Sequence, residues 1–334
     1  MRRTAWTLVA AALAWLAGCA SPPEPAAPPR EVSVIVFPGG FNWPIWAAHE
    51  KGFFTRNGVD VKITLTPNSV FQLTGLIEGK FDIAMTAIDN LVAYREGQGE
   101  AKVEGPDLVA IMGGDNGFLR LVAVPDVKTI GELRGRTVSV DARTTGYAFV
   151  LFELLDRGGL REPAYNVERA GGVLQRYQTL LEKKYDATLL ISPFEVQAEA
   201  RGFNRLANAS ATLGNYQGLV AGVRQGWAQQ NPRAVVGYIR GFVAGVEWLY
   251  DPANREEALA ILMKNVPNMN RPAAETAYRV LLDPKDGFTP RARIDMEGVR
   301  TVLQLRTKWS TAKKPLTDPA KYYDGRFYDE AMQR

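Results

Sequence analysis

The chain is poor in the side chains that most often carry covalent chemistry: its 334 residues include one cysteine and one histidine. One cysteine cannot form an intramolecular disulfide, and zinc sites need several His and Cys side chains at short spacings. The histidine, His49, falls on a short predicted helix without an obvious catalytic partner, so we interpret it as a packing or surface residue. We therefore expect no catalytic residue, no metal and no cofactor.

The chain also lacks a strong charge of either sign. Lys and Arg total 40 against 36 Asp and Glu, which gives a net charge of +4, and the basic residues are scattered. Because nucleic-acid-binding proteins typically carry a basic patch or stripe, we expect no nucleic-acid partner. The length predicts two domains.

Long apolar runs are missing except at the N-terminus, where Ala5–Ala17 is short for a bilayer span. Two arginines precede this run and Leu-Ala-Gly-Cys ends it, which is typical of a lipoprotein signal peptide. The sequence predicts removal of residues 1–18, acylation of Cys19 and a proline-rich tether over residues 19–30. A secretory peptide cut elsewhere, or a short anchor, would also fit the run. We expect a periplasmic protein that meets the membrane only through its anchor, and neither a channel nor a permease.

The rest of the chain alternates strand-like and helix-like segments, which favours an α/β fold with mostly parallel sheets. Two segments align without gaps, LIEGKFDIAMTAIDN (76–90) and LLEKKYDATLLISPF (180–194). Two similar lobes would explain this match, although helix–turn–strand units of any α/β protein look alike. Ligands of open α/β sheets bind beyond the carboxyl ends of the strands, so we expect a cleft there.

The sequence pattern in the second half of the chain predicts mainly helices. Apolar residues at Val235, Ile239, Phe242, Val246 and Leu249 follow the period of one helix face, which indicates a long helix packed on the core. The polar, turn-rich region after residue 310 is interpreted as a loosely packed tail.

Four segments carry a family resemblance. They are AAHEKGFFTRNGVDVKI (47–63), which contains the pattern A-x-x-K-G-F-F-x-x-x-G-x-x-V, then IEGKFDIAMTAIDN, TIGELRGRTVSV and QQNPRAVVGYIRGFVAGVEW. The chain resembles the substrate-binding proteins of ABC importers, in the nitrate/sulfonate/taurine/thiamine-precursor group. The resemblance implies a periplasmic binding protein fold of type II, with two α/β lobes joined by a two-strand hinge and a ligand cleft between them. Lobe 1 would hold residues 31–116 plus 217–334, and lobe 2 residues 117–216.

The resemblance also implies a ligand site, made mainly by loops that follow strands. Ser69 opens a helix whose N–H groups could hold an anion, and Asp89 would repel anions and favour an amine unless Arg143 pairs with it. Each polar member could equally be a helix cap or a surface-loop residue. The predicted ligand-binding residues are Phe41, Asn42, Trp43, Ser69, Thr86, Ile88, Asp89, Asn90, Arg143, Thr144, Thr145, Gly146, Ser192, Pro193 and Phe194.

Two departures from the family pattern narrow the expected function. Ile191-Ser192-Pro193 lacks the tryptophan that relatives often carry there. Relatives that are enzymes of thiamine-pyrimidine synthesis use a lysine and a histidine where this chain has Thr86 and Asn90, so that chemistry is absent. The resemblance implies a monomeric subunit that delivers a small organic molecule (sulfonate, heterocyclic or amine-containing) to an ABC permease and its ATPase. A ligand-sensing lipoprotein is the alternative.

Overall fold

The computed structural model describes residues 28–333. The predicted signal peptide, Cys19 and most of the predicted tether lie outside the described residues. Ten strands are present: β1 Arg30–Val36, β2 Val59–Leu65, β3 Ile83–Ala87, β4 Leu108–Gly113, β5 Arg120–Ala123, β6 Thr137–Val140, β7 Asn166–Arg169, β8 Ala187–Leu190, β9 Asn204–Asn208 and β10 Leu219–Arg224. No helix among residues 28–333 is both long and apolar enough to cross a bilayer.

Fourteen α-helices are interleaved with these strands in the described chain. They are α1 Trp43–Glu50, α2 Phe53–Arg56, α3 Ser69–Ile77, α4 Ile88–Arg95, α5 Gly146–Arg157, α6 Val173–Leu181, α7 Phe194–Glu199, α8 Ala209–Leu213, α9 Gln225–Gln230, α10 Pro232–Tyr250, α11 Arg255–Asn265, α12 Arg271–Leu281, α13 Met296–Trp309 and α14 Arg326–Met332. The segment after residue 310 includes the buried aromatics Tyr322, Phe327 and Tyr328, so the expectation of a loosely packed tail was wrong.

The strands form two five-stranded sheets with the same architecture, in the orders β2-β1-β3-β10-β4 and β7-β6-β8-β5-β9. In each sheet one strand, β10 or β5, runs antiparallel to its two neighbours, and the remaining strands are parallel. The sheets are thus mostly parallel, and each antiparallel strand is the one that the chain enters directly after leaving the other sheet.

The two aligned sequence segments occupy equivalent places in the two sheets. Asp82 precedes β3, accepts a hydrogen bond from the Ser33 N–H at 2.9 Å and donates its own N–H to the Ser33 carbonyl. Asp186 precedes β8 and makes the same two bonds with Thr137, with an acceptor distance of 2.8 Å. Each carboxylate therefore fixes the start of its sheet's middle strand against the neighbouring strand.

Two segments connect the sheets, residues 114–119 and 209–218, and Asp115 joins them. Its Oδ1 accepts hydrogen bonds from the N–H groups of Gly117 at 2.7 Å and Leu219 at 3.0 Å, one from each side. Gly218 is needed here, because a Cβ at that position would lie 2.3 Å from the Gly117 nitrogen. The predicted lobe boundaries, 116/117 and 216/217, fall within these connections.

The predicted long helix is α10, and the five apolar residues expected on one of its faces are all buried. The helix packs closely on α1 and α2 through a row of glycines. A Cβ on Gly241 would lie 2.3 Å from the Phe54 ring, and one on Gly245 would lie 2.3 Å from the Pro44 carbonyl oxygen. This contact holds the loop that follows β1 at the edge of the sheet.

Candidate functional site

A cavity of about 50 Å³ lies between the two sheets, at the carboxyl ends of their strands. At 10–15 Å³ for each water-sized probe, this is space for roughly four water molecules, which suits a small compound. The residues that line it are Phe37, Phe41, Met85, Thr86, Ala87, Asn90, Asp115, Gly117, Phe118, Asp141, Thr145, Gly146, Tyr147, Gly172, Val173, Arg176, Ile191 and Leu219.

Aromatic side chains form one wall of the cavity. Phe37 and Phe41 come from the loop after β1, and Phe118 comes from the connection between the sheets. Trp43 was expected beside them but lies in the core instead, fully buried, with its indole N–H donating to the Ala258 carbonyl at 3.0 Å. Trp43 is the first residue of α1, and its ring packs edge-on against Tyr278 of α12, with 5.7 Å between the ring centroids.

Two helices of the second lobe, α5 and α6, begin at the cavity. The first backbone N–H groups of a helix have no partner within it and carry the positive end of the helix dipole. Neither helix has a side-chain hydrogen bond at its N-cap: Gly172 has no side chain to offer, and Thr145 donates its hydroxyl to the Ala142 carbonyl at 2.9 Å. Both helix ends therefore remain free to bind an anionic or carbonyl oxygen.

The N-terminus of α3 is saturated in contrast, which corrects the prediction for Ser69. The N-cap is Asn68, whose side chain accepts a hydrogen bond from the Phe71 N–H at 2.8 Å. The Ser69 N–H donates to Asp141 Oδ2 at 2.9 Å, across the gap between the lobes. Because protein groups already satisfy this helix end, Ser69 joins the lobes and does not line the cavity.

Arg176 is the most informative side chain of the cavity, and the sequence interpretation missed it. It is 5% exposed, yet none of its guanidinium nitrogens donates a hydrogen bond to a described residue, and no described carboxylate lies within ion-pair distance. Burial lowers the pKa of this guanidinium, while the negative charge of Asp141 opposes that shift. A sequence signal existed, because Arg176 shares the buried face of α6 with Val173, Tyr177 and Leu180.

Asp89 does not face the cavity but forms a buried ion pair. Both oxygens of its carboxylate accept from the guanidinium of Arg306 on α13, with Nε 2.7 Å from Oδ1. Arg306 also donates to the Thr144 carbonyl at 2.7 Å and lies over the Phe149 ring. The pairing of Asp89 with Arg143, which the sequence left open as an alternative, does not occur, since Arg143 is half exposed and pairs with Glu162 at 2.7 Å.

The turn at residues 191–194 contributes less to the cavity than predicted. Its Ile191 lines the cavity, whereas the Ser192 carbonyl accepts a hydrogen bond from the Gly40 N–H of the other lobe at 3.0 Å. The Phe194 ring packs on Tyr177, with 5.1 Å between the ring centroids. This turn mainly helps hold the two lobes together.

Five predicted residues line the cavity: Phe41, Thr86, Asn90, Thr145 and Gly146. The other ten lie behind it or elsewhere: Asn42, Trp43, Ser69, Ile88, Asp89, Arg143, Thr144, Ser192, Pro193 and Phe194. Gly146 lines the cavity and also packs against Asp89 behind it, because a Cβ at position 146 would lie 2.4 Å from the Asp89 Cβ. Thr86 accepts a hydrogen bond from the Asn90 amide at 2.8 Å, so these two residues act as one polar unit.

His49 lies in a separate groove, away from this cavity. Among residues 28–333, no group of three His, Cys, Asp or Glu side chains is arranged to hold a metal ion.

Comparison with known proteins gives a family and a fold. The family model described as NMT1/THI5 like matches residues 42–255. No curated protein matches the chain. Similar solved structures include the ligand-binding component of an ABC-type import system from Staphylococcus aureus, determined with zinc bound. It is 12% identical, with a TM-score of 0.72 over 90% of this chain and 99% of that one.

Two further similar structures are a nitrate-binding and an alkanesulfonate-binding protein. The periplasmic nitrate-binding protein NrtA from Synechocystis is 14% identical, with a TM-score of 0.71 over 91% of this chain and 89% of its own. The alkanesulfonate-binding protein SsuA from Xanthomonas axonopodis pv. citri, bound to MOPS, is 15% identical, with a TM-score of 0.66 over 85% and 92%. These likenesses confirm the predicted fold class, a periplasmic binding protein with two α/β lobes. The desulfurization enzyme DszB shares the fold at 13% identity, so the fold alone does not exclude catalysis.

Proposed function

The chain belongs to the NMT1/THI5-like family, and we propose that it is the solute-binding subunit of an ABC importer, which closes its two lobes around a small organic anion. In this proposal an acylated Cys19 tethers the monomer to a membrane on the extracytoplasmic side. The bound solute is then delivered unchanged to a permease and its ATPase. The structural neighbours, most of which are import-associated binding proteins, support solute binding as the general role.

The unpaired guanidinium of Arg176 carries the proposal. A buried charge without a partner is costly, so a protein retains one where a ligand supplies the counter-charge. Sulfonate and carboxylate groups match the fork of N–H donors on arginine. The free N-termini of α5 and α6 add further N–H donors at the same cavity.

The strength of these contacts is sufficient for import. A hydrogen bond to a charged group contributes about 1.5–3 kcal/mol, and micromolar binding corresponds to about −8 kcal/mol. Two such bonds from Arg176, together with apolar contact against Phe37, Phe41 and Phe118, account for most of this affinity. The five sequence-predicted residues that line the cavity complete the proposed site.

Contacts between the lobes support closure as the mechanism of capture. Gly40 donates to the Ser192 carbonyl, the Ser69 N–H donates to Asp141, and Gly146 packs on Asp89. Each contact joins residues on opposite sides of the cavity, so it forms only when the lobes are closed. In this proposal the described structure is the closed form, and ligand entry requires these contacts to separate.

A binding role without reaction fits the chemistry of the cavity. None of its described lining residues is a cysteine or a histidine, so neither of these common nucleophiles or bases is available there. The chemical identity of the released ligand distinguishes a carrier from an enzyme such as DszB.

Native mass spectrometry of the purified protein tests the proposal, because tight-binding carriers retain solute. We expect a small anion that is released unchanged, and we expect the Arg176→Met variant to retain none. Arg120→Met is the matched control: Arg120 is equally buried, at 5% exposed, but does not line the cavity. Retention by Arg176→Met, or release of a chemically altered compound by the wild type, would refute the proposal.

A further inference from the structure

Asp115 is a second buried charge of the cavity without a counter-charge. It is 2% exposed and lines the cavity from the connection between the lobes. Its Oδ1 accepts both N–H groups that reach the carboxylate, from Gly117 and Leu219. No described residue donates a hydrogen bond to Oδ2, and no described Lys or Arg forms an ion pair with Asp115.

Burial of this carboxylate raises its pKa to about 6, although the two backbone N–H groups act in the opposite direction. The direction follows from desolvation, which penalises the charged form when no cation compensates it. The other cavity carboxylate, Asp141, differs because it is only partly buried and its charge acts on Arg176, while its Oδ2 accepts the Ser69 N–H from the opposite lobe.

Asp115, Arg176 and Tyr147 all line the same cavity. Burial raises the pKa of the Tyr147 phenol, the Asp115 charge acts in the same direction, and the Arg176 charge acts in the opposite one. The two side chains nevertheless form no ion pair with each other. The cavity thus presents a cation and an anion that are close to one tyrosine and are not neutralised by each other.

We propose that the cavity binds a small zwitterion, with its anionic group on Arg176 and an ammonium group on the free oxygen of Asp115. This inference rests on the proposed function and narrows its ligand class. A solute with both charges neutralises both buried groups at once, whereas a simple anion leaves Asp115 uncompensated.

The position of Asp115 also gives the ammonium contact a consequence for closure. Its Oδ1 accepts N–H groups from Gly117 in one connection and from Leu219, directly after the other connection, so the ligand would contact the residue that joins the two connections. Asp115 is in this sense a specificity-determining residue, and Arg176 provides the contact shared by every anionic ligand.

Pairs of nearly isosteric compounds test the inference by isothermal titration calorimetry at pH 7.5. The pairs are β-alanine with butyrate, and 2-aminoethanesulfonate with propane-1-sulfonate. We expect the aminated member of at least one pair to bind at least tenfold more tightly to the wild type. Asp115→Asn keeps a side-chain oxygen for the two N–H groups but removes the charge, and should reduce that preference to less than threefold.

Asp141→Asn is the matched variant, because Asp141 also lines the cavity but has a partner across the lobes. It should change the affinity of both members of a pair by a similar factor. Loss of the amine preference in Asp141→Asn and its retention in Asp115→Asn would overturn the assignment. If Asp115→Asn does not fold, the comparison of pairs on the wild type still decides whether an amine is preferred.

Two results would overturn the zwitterion itself: equal affinities within every pair, or no binding by any aminated compound. These are distinguishable from failure of the proposed function. Butyrate or propane-1-sulfonate binding that depends on Arg176, without an amine preference, would leave anion capture in place and remove only the role of Asp115.

Discussion

Arg306 and Arg176 are both buried arginines beside the gap between the lobes, but their surroundings are opposite. Arg306 is fully buried, and its guanidinium donates to both oxygens of Asp89, to the Gln98 side chain and to the Thr144 carbonyl. The Arg176 guanidinium donates to no described residue. Protein acceptors satisfy the guanidinium of Arg306, whereas the guanidinium of Arg176 gains acceptors only when a ligand occupies the cavity.

This contrast separates a structural charge from a binding charge more reliably than burial does. Burial alone would assign both arginines, and Asp89, to the same class. The hydrogen-bond partners show that Arg306 holds α13 and the start of α5 together, since its acceptors lie on both sides of the lobe boundary. Applied to the described charged residues that line the cavity, the same criterion leaves Arg176 and Asp115 as the groups that need a ligand.

Breaking the buried ion pair between Asp89 and Arg306 should produce the largest change in the free energy of unfolding. Asp89→Ala leaves the Arg306 guanidinium buried without its main counter-charge, which typically costs about 3–5 kcal/mol. We expect the free energy of unfolding in urea to fall by that amount. The double variant Asp89→Leu/Arg306→Met should lose much less than the sum of the single variants. Additive losses would contradict the assignment of a mutually dependent pair.

The stability of the unliganded protein should also depend on pH through Asp115. Its folded-state pKa is raised to about 6, so its protonated form is favoured on folding. The resulting stability is present below the unfolded pKa of about 4 and is lost as the pH rises to about 6, at roughly 1.4 kcal/mol for each pH unit between the two pKa values. The titratable groups that face Asp115, Tyr147 and Tyr216, have raised pKa values and stay neutral in this window.

The measurement is urea unfolding of the wild type and Asp115→Asn at pH values from 4 to 7. The difference between the two free energies should change by about 2–3 kcal/mol over this range, with the variant gaining relative stability as the pH rises. A difference that is independent of pH would show that Asp115 titrates normally. An ammonium ligand should abolish the dependence, because it favours the charged carboxylate.

The sequence predicted the architecture because its signals are local. Strand and helix alternation, the apolar face of α10 and the repeated Asp before β3 and β8 are each contained within short segments, and the structure has all of them. Phe41, Thr86 and Thr145 were expected near the carboxyl ends of strands and all three line the cavity, while their contact with a ligand stays a prediction. These positions follow from strand direction and need no knowledge of distant partners.

The site residues that were missed or misplaced depend on distant partners. Arg306 lies more than 200 positions from Asp89, so nothing near Asp89 shows that its charge is already paired. Ser69 was misplaced for the same reason, because Asp141 satisfies its N–H from the other lobe. Arg176 could have been found, since an arginine on the apolar face of a helix is unusual and asks for a partner.

Replacing Arg176 should raise the free energy of unfolding, whereas replacing Asp89 or Arg306 should lower it. Arg176→Met removes an unpaired buried charge and keeps a side chain that can fill its space, so we expect the unliganded protein to become more stable by about 1–2 kcal/mol. The check is thermal unfolding after any retained solute has been removed by unfolding and refolding. A loss of stability as large as that of Asp89→Ala would mean that Arg176 has a structural partner.

The smallest effect is expected from Arg143, which the sequence placed in the site. Its pair with Glu162 joins two side chains that are 48% and 41% exposed, and exposed ion pairs contribute about 0–1 kcal/mol. Arg143→Ala should therefore lower the free energy of unfolding by no more than this and leave solute retention in native mass spectrometry unchanged. Because Arg143 precedes the residues that open α5, a loss of retention would extend the binding surface beyond the cavity and weaken the distinction between paired and unpaired charges.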